Sequence, residues 1–207
     1  MQEVLHSIKT KNSNVMLLKI DLVKAFDRVN WTFLRLLLLQ IGIPLIGVNW
    51  IMGCVTNSCF AVLVNGIPFD FFLDSRGIRQ GCPLLPLLFI LIIESLNRII
   101  LDAKQKCHIK GFQYSPSLSL THMLFVDDAI LFGIGTVNEW GAYKEALDLF
   151  CSATGTAIRN EKSSFLYQNV DEETRRQIAA LLPYSMAPIT SGFKYLGYHL
   201  KPLGYRS

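Results

Sequence analysis

Three aspartates stand beside apolar runs. Asp127 and Asp128 are adjacent inside MLFVDDAILFG (Met123–Gly133), and Asp21 follows VMLLKI (Val15–Ile20). A paired Asp at a hairpin tip is often turn chemistry, because Asp hydrogen-bonds nearby backbone and tolerates unusual dihedrals. The apolar flanks argue for more. An ionised carboxylate at the end of a buried strand needs a partner or a cation. Hard divalent cations take oxygen ligands, and Mg2+ usually engages one or two carboxylates together with substrate phosphates. If the strands carrying Asp21 and Asp127 are neighbours, their carboxylates face one another about 4–6 Å apart. Two ions about 3.5–4 Å apart are the arrangement used for phosphoryl transfer. Asp27, by contrast, suits a helix-dipole position.

Several elements must position these groups. Val15–Ile20 reads as a buried strand that delivers Asp21 at its end. Thr121–Phe125 and Ala129–Phe132 read as a hairpin with the paired aspartates at its tip. Asn30 caps a helix over residues 31–41 that ends at Gly42. Asn65-Gly66, between Phe60–Val64 and Ile67–Leu73, is a strong hairpin signal, because both turn positions want φ > 0. Pro83 and Pro86 precede a helix over residues 86–103, since proline is tolerated at a helix start and not inside. Thr136 with Glu139 resembles a capping box for a helix over 138–153. That helix puts Trp140, Tyr143, Leu147, Phe150 and Cys151 on one face and stops at Gly155. Asp171 caps a short helix ending at Pro183, and residues 193–200 form a last strand or hairpin. There is no regular βαβ rhythm and no Gly-rich phosphate loop, which favours an α+β fold with a small antiparallel sheet.

The bulk composition sets limits. The chain has 207 residues, of which 51% are hydrophobic and 17% charged, so it can bury a real core and is not disordered. A net charge of +4 is compatible with a polyanion partner without demanding one. The five cysteines lack C-x-x-C spacing and read as free thiols in a reducing compartment. The N-terminus has no apolar core of a signal peptide. Leu36–Val55 is uncharged and about long enough to cross a bilayer. It carries Gln40, Pro44 and Asn49, and its Gly-Ile-Pro reads as a break between two short helices. A membrane-inserted protein built on this segment is the competing reading from another class.

Three motifs occur in order: Asp21-x-x-x-Ala25-Phe26-Asp27, Arg79-Gln80-Gly81-Cys82-Pro83-Leu84 and Phe125-Val126-Asp127-Asp128. They resemble the motifs of reverse transcriptases, above all those of LINE-type (non-LTR) retrotransposons of plants. Thr154-Gly155 through Asn160-x-Lys162-Ser163 resembles the palm's fourth motif, and Tyr195-Leu196-Gly197 the motif at the palm–thumb border. The resemblance implies a polymerase palm, with a small antiparallel sheet backed by helices. It implies RNA-directed DNA polymerisation with two Mg2+ ions, Mn2+ being the alternative. The partners implied are an RNA template, a DNA primer and a deoxynucleoside triphosphate, without a membrane.

Carried over residue by residue, the resemblance makes Asp21 and Asp127 metal ligands and Asp128 the second carboxylate of the pair. Phe26 becomes the aromatic beneath the incoming sugar, although an ordinary core aromatic would look the same. Arg79, Gln80 and Gly81 line the template and nucleotide pocket. Lys162 is the acid for the leaving pyrophosphate, although an isolated lysine is commonly a solvated charge. Leu85 departs from the family's serine. Residues 1–207 read as one reverse transcriptase domain, palm-centred and truncated at both ends, with partial fingers and no thumb, and so a poor polymerase in isolation. A catalytically inert remnant and an intron-encoded maturase are the nearest alternatives. The location expected is intracellular, nuclear or cytoplasmic.

Overall fold

The computed structural model describes residues 1–57, 59–78 and 83–202. In chain order the first elements are α1 (Gln2–Thr10), β1 (Val15–Asp21), α2 (Trp31–Gln40), α3 (Leu45–Thr56), β2 (Cys59–Phe60), β3 (Leu63–Val64), β4 (Ile67–Pro68) and β5 (Phe72–Leu73). They are followed by α4 (Leu85–Gln105), β6 (Phe112–Ser115), β7 (Leu118–Leu120), β8 (His122–Phe125), β9 (Asp128–Gly133) and α5 (Val137–Thr154). The last are β10 (Ser164–Gln168), α6 (Glu172–Leu181), β11 (Ser185–Pro188), β12 (Phe193–Tyr195) and β13 (Tyr198–Leu200). The chain forms two compact units. One comprises Met1–Leu22, Leu96–Asp148 and Ile158–Ser207; the other comprises Val23–Ser95 and Leu149–Ala157.

The first unit is built on a five-stranded sheet in the order β11-β10-β1-β9-β8. Strand β1 is central and antiparallel to both β9 and β10, and β8 completes a hairpin with β9. The outer pair β10 and β11 is parallel. Helix α6 lies between them in the chain and supplies the crossover that a parallel pair requires, so the sheet is antiparallel everywhere except at its β10–β11 edge. Successive side chains of a strand point to opposite faces. One face carries Leu17, Ile130, Phe132 and Leu166, which pack with Val4, Leu5 and Ile8 of α1 and with Phe112, Phe193 and Tyr195. On the other face Phe165 meets Trp140 of α5 edge-on, with centroids 4.8 Å apart. The hydroxyl of Tyr143 donates to the carbonyls of Thr121 and Phe132. That bond satisfies a phenol in a wholly buried position.

Glu139 does not close a capping box. It is buried, and its Oε1 accepts from the N–H groups of Lys110 and Gly111, both at 2.7 Å. Its Oε2 accepts from the N–H of Ile134 at 2.6 Å. One carboxylate thus ties the chain ahead of β6 to the end of β9. Burial pushes its carboxyl above the ordinary glutamate value, and the three N–H donors with Lys110 pull it back down.

In the second unit Asn30 caps α2, its Oδ1 accepting from the N–H groups of Thr32 and Phe33. Leu36–Val55 divides at Gly42, whose φ is +89°, into α2 and α3. Among the described residues no helix is long and apolar enough to cross a membrane. Asn65 and Gly66 both have positive φ, the signature of a type I′ turn. The hairpin they join is broken into two short ladders, β3–β4 and β2–β5. Gly77 donates its N–H to the Val29 carbonyl, and Ile78 donates to that of Phe26. A Cβ at Gly77 would stand 2.7 Å from the Asp27 carbonyl oxygen, so only glycine allows this approach.

Candidate active site

Strand β1 is buried along Val15–Leu18 and becomes half-exposed at Asp21. The backbone there is fixed at both its polar groups. The Asp21 N–H donates to Ser163 Oγ at 3.1 Å, and the Asp21 carbonyl accepts from the Arg159 N–H at 2.8 Å. Leu22 continues the pairing with Ile158 as an isolated bridge. The position of Asp21 is therefore set by the segment 158–163 as well as by the sheet.

The register of β1 against β9 makes Asp21 and Asp128 direct partners. Asp127 takes the second place in the two-residue turn Val126-Asp127, because Phe125 and Asp128 close the β8–β9 ladder. The residue opposite Asp21 is thus Asp128 rather than Asp127. Val126 has a φ of +55°. A β-branched residue rarely adopts that conformation, and strain of this kind collects at functional tips.

Cross-strand partners have Cβ atoms about 4.5–5.5 Å apart on one face. By alternation Lys19 lies on the same face of β1 as Asp21. Its ammonium donates to the Lys194 carbonyl at 2.9 Å. Burial raises the Asp128 carboxyl above the usual aspartate value, Lys19 draws it down, and the charges of Asp127 and Asp21 push it up again. Tyr195 stands close enough for the charge of Asp128 to add to the rise that burial imposes on its phenol. Arg159 reaches Asp21, with Nη1 3.5 Å from Oδ2.

This donor set suits a hard cation in one particular way. Among the described residues no group of three or more His, Cys, Asp or Glu forms a ready metal cage. Two facing carboxylates with a third in the adjoining turn match the Mg2+ mode, in which substrate phosphates and water complete the shell. A guanidinium already stands as a cation against one of these carboxylates.

The remaining candidates fall elsewhere. Phe26 belongs to the second unit, is half-buried, and has its ring centroid 4.4 Å from that of Phe89. Lys162 is exposed in the turn before β10, with its N–H directed at the Arg159 carbonyl. Arg79, Gln80 and Gly81 lie outside the described residues. Sequence reasoning passed over Lys19 and Arg159. The i, i+2 alternation from Asp21 was a signal for Lys19; Arg159 had only its place beside Asn160 in the fourth motif.

Residues 1–200 match the model of the reverse transcriptase (RNA-dependent DNA polymerase) family. The chain belongs to that family. Two curated relatives are similar over part of the chain. An uncharacterized mitochondrial protein of Arabidopsis thaliana is 40% identical over 67 residues, covering 32% of this chain and 55% of that protein. The Pol polyprotein from the type-1 retrotransposable element R2 of Popillia japonica is 28% identical over 127 residues, covering 61% of this chain and 20% of that protein. The chain thus spans about half of one relative's length and a fifth of the other's. Among solved structures, telomerase from Candida albicans, in complex with a fragment of telomeric RNA, shares the fold. Its TM-score is 0.58 at 12% identity, over 82% of this chain and 31% of that one. This is a reverse transcriptase domain on a palm-like fold.

Proposed function

We propose that this domain carries out RNA-directed DNA synthesis for a non-LTR retrotransposon, transferring a nucleotidyl group from a deoxynucleoside triphosphate to a primer 3′-hydroxyl. The observation that supports it best is the pairing of Asp21 with Asp128 at the polar end of neighbouring strands, with Asp127 in the adjoining turn. Asp21, Asp127 and Asp128 are the residues that would hold Mg2+, or Mn2+ in its place. When bound, the metal supplies charge stabilisation at the phosphoryl oxygens and orients the reacting groups.

The chain's own residues do the rest. The sheet and the segment 158–163 hold the Asp21 backbone rigid, which positions the acceptor carboxylate without reorganisation. Phe26, braced by Phe89, is the aromatic on which the incoming sugar rests, and its bulk excludes a 2′-hydroxyl. Lys162 gives a proton to the departing pyrophosphate oxygen. Arg79, Gln80 and Gly81 contact the template and the nucleotide. Positioning and charge stabilisation are most of what phosphoryl transfer needs from a protein.

Primer extension on an RNA template by the purified 207-residue chain, with Asp127→Ala as control, tests the reading. Weak metal-dependent extension that the control lacks is the expected result, in keeping with a poor polymerase in isolation. Equal signal from both proteins would refute the assignment.

A further inference from the structure

We infer that Arg159 is a displaceable counter-cation. It occupies Asp21 in the absence of metal and moves to the triphosphate anion when a nucleotide and its divalent cation enter together. This rests on the polymerase reading above.

The ion pair is poorly suited to a structural role. Its N–O separation of 3.5 Å is beyond a good hydrogen bond, and the two side chains are 31% and 24% exposed. Pairs of that kind add little to stability. The fold is held at this point by other bonds, namely the Arg159 N–H to the Asp21 carbonyl and the Asp21 N–H to Ser163 Oγ. The guanidinium is therefore free to leave while its backbone stays.

The local charge balance gives it a reason to be there. Asp21, Asp127 and Asp128 gather three carboxylates at one end of the sheet. Lys19 offsets Asp128, but its ammonium is anchored to the Lys194 carbonyl. Asp21 takes its neutralisation from Arg159. A divalent ion arriving on Asp21 meets a positive charge already in place, so binding of metal alone is opposed. Guanidinium pairs with phosphate oxygens in a planar, two-point geometry. When the metal arrives with a triphosphate, the displaced Arg159 gains a new anionic partner. Metal and nucleotide then assist one another, and by linkage the assistance is equal in both directions.

The test is Mn2+ binding by the purified chain, followed by the electron paramagnetic resonance of free Mn2+, with and without a non-hydrolysable deoxynucleoside triphosphate. Circular dichroism verifies that each variant is folded. Arg159→Gln is expected to tighten Mn2+ binding without nucleotide by about three- to tenfold, the scale of repulsion between a divalent and a monovalent charge about 6 Å apart in a water-like dielectric. It is also expected to lose most of the enhancement that nucleotide gives the wild type. Arg159→Lys keeps the charge and loses the planar fork, so metal affinity stays near wild type while the enhancement shrinks. Unchanged or weaker Mn2+ binding in Arg159→Gln would overturn the inference. Asp21→Asn separates the two levels. If it abolishes Mn2+ binding while Arg159→Gln changes nothing, only the role of Arg159 falls. If it leaves Mn2+ binding intact, the metal does not sit on Asp21 and both readings fall.

Discussion

Asp21 closes β1, Asp128 opens β9, and the two are direct cross-strand partners. Like charges directly opposite one another destabilise a sheet, and here a third carboxylate, Asp127, stands in the next position of the chain. The domain tolerates this with Lys19 and Arg159 alongside. Such an arrangement costs stability in the free protein, and on the proposed reading it gains its value when a cation is bound.

Replacing that carboxylate pair should separate stability from activity. Asp21→Asn and Asp128→Asn are each expected to leave the protein as stable as the wild type or slightly more so. Each should lower primer extension by about 100-fold or more, the scale on which misplaced reacting groups are penalised. Thermal melts read beside extension assays decide it. A variant that melts early and loses activity in proportion would point to a structural role instead.

Val126 offers a second separation. Its positive φ costs about 1–2 kcal/mol in an L-residue, and glycine there would recover most of this while adding about 0.5–1 kcal/mol of backbone entropy cost. Val126→Gly should therefore change stability by less than about 1 kcal/mol, in the stabilising direction. Extension should fall, because the turn that carries Asp127 is no longer held in one conformation. A chemical denaturation curve with a lower midpoint than wild type would contradict the strain argument.

Glu139 is the fold's own carboxylate. Glu139→Gln keeps one acceptor oxygen but turns an amide N–H2 toward a backbone N–H, leaving a buried donor unmatched. A loss of about 1–3 kcal/mol is expected, measured by urea denaturation. The pH dependence follows from the raised carboxyl. Its ordinary value is 4.5 and the folded value lies higher, so the fold binds the proton more tightly than the unfolded chain. The contribution is fully present below pH 4.5 and declines as pH rises through the folded value. A wild-type contribution at Glu139 that grew with pH across that window would reverse the assignment.

Phe26 tests selectivity. Phe26→Val retains an apolar contact with Phe89 while removing ring volume, and it should raise ribonucleotide incorporation relative to deoxynucleotide. Single-nucleotide incorporation with matched dNTP and rNTP reads it directly. An unchanged ratio would remove Phe26 from the sugar site.

The central architecture was legible from local pattern. VMLLKI and the flank after Asp127-Asp128 announced the buried strands β1 and β9, although the flank before the pair, β8, is half-exposed rather than buried. Asn65-Gly66 announced its turn, and Pro86 announced the start of α4. What escaped was pairing between distant segments. Ser164–Gln168 has no clean alternation, yet it sits beside β1 in the middle of the sheet. Ser185–Pro188 is too short and too proline-bounded to read as a strand, and it joins only because α6 returns it to β10. Within the site, the carboxylates were conspicuous because charge interrupts an apolar run. Asp128 as the partner of Asp21 was not, since register depends on a two-residue turn that needs a positive φ at valine. Arg159 was invisible for a related reason: an arginine in a polar loop looks solvated until the sheet brings Asp21 beside it.

The sheet order has a consequence for how the chain is made. Strand β1 is synthesised early, and both of its partners come late: 128 − 21 = 107 residues separate Asp21 from the start of β9, and β10 follows later still. At about 5–20 residues per second of translation, that interval is roughly 5–20 s. During it, an apolar strand waits with both backbone edges unpaired, which is the configuration most prone to pairing with another chain. Nascent chains halted ahead of residue 128 should therefore associate with one another or recruit chaperones, and those halted beyond residue 168 should not. The position that makes β1 the best-held strand in the finished domain makes it the most exposed one on the ribosome.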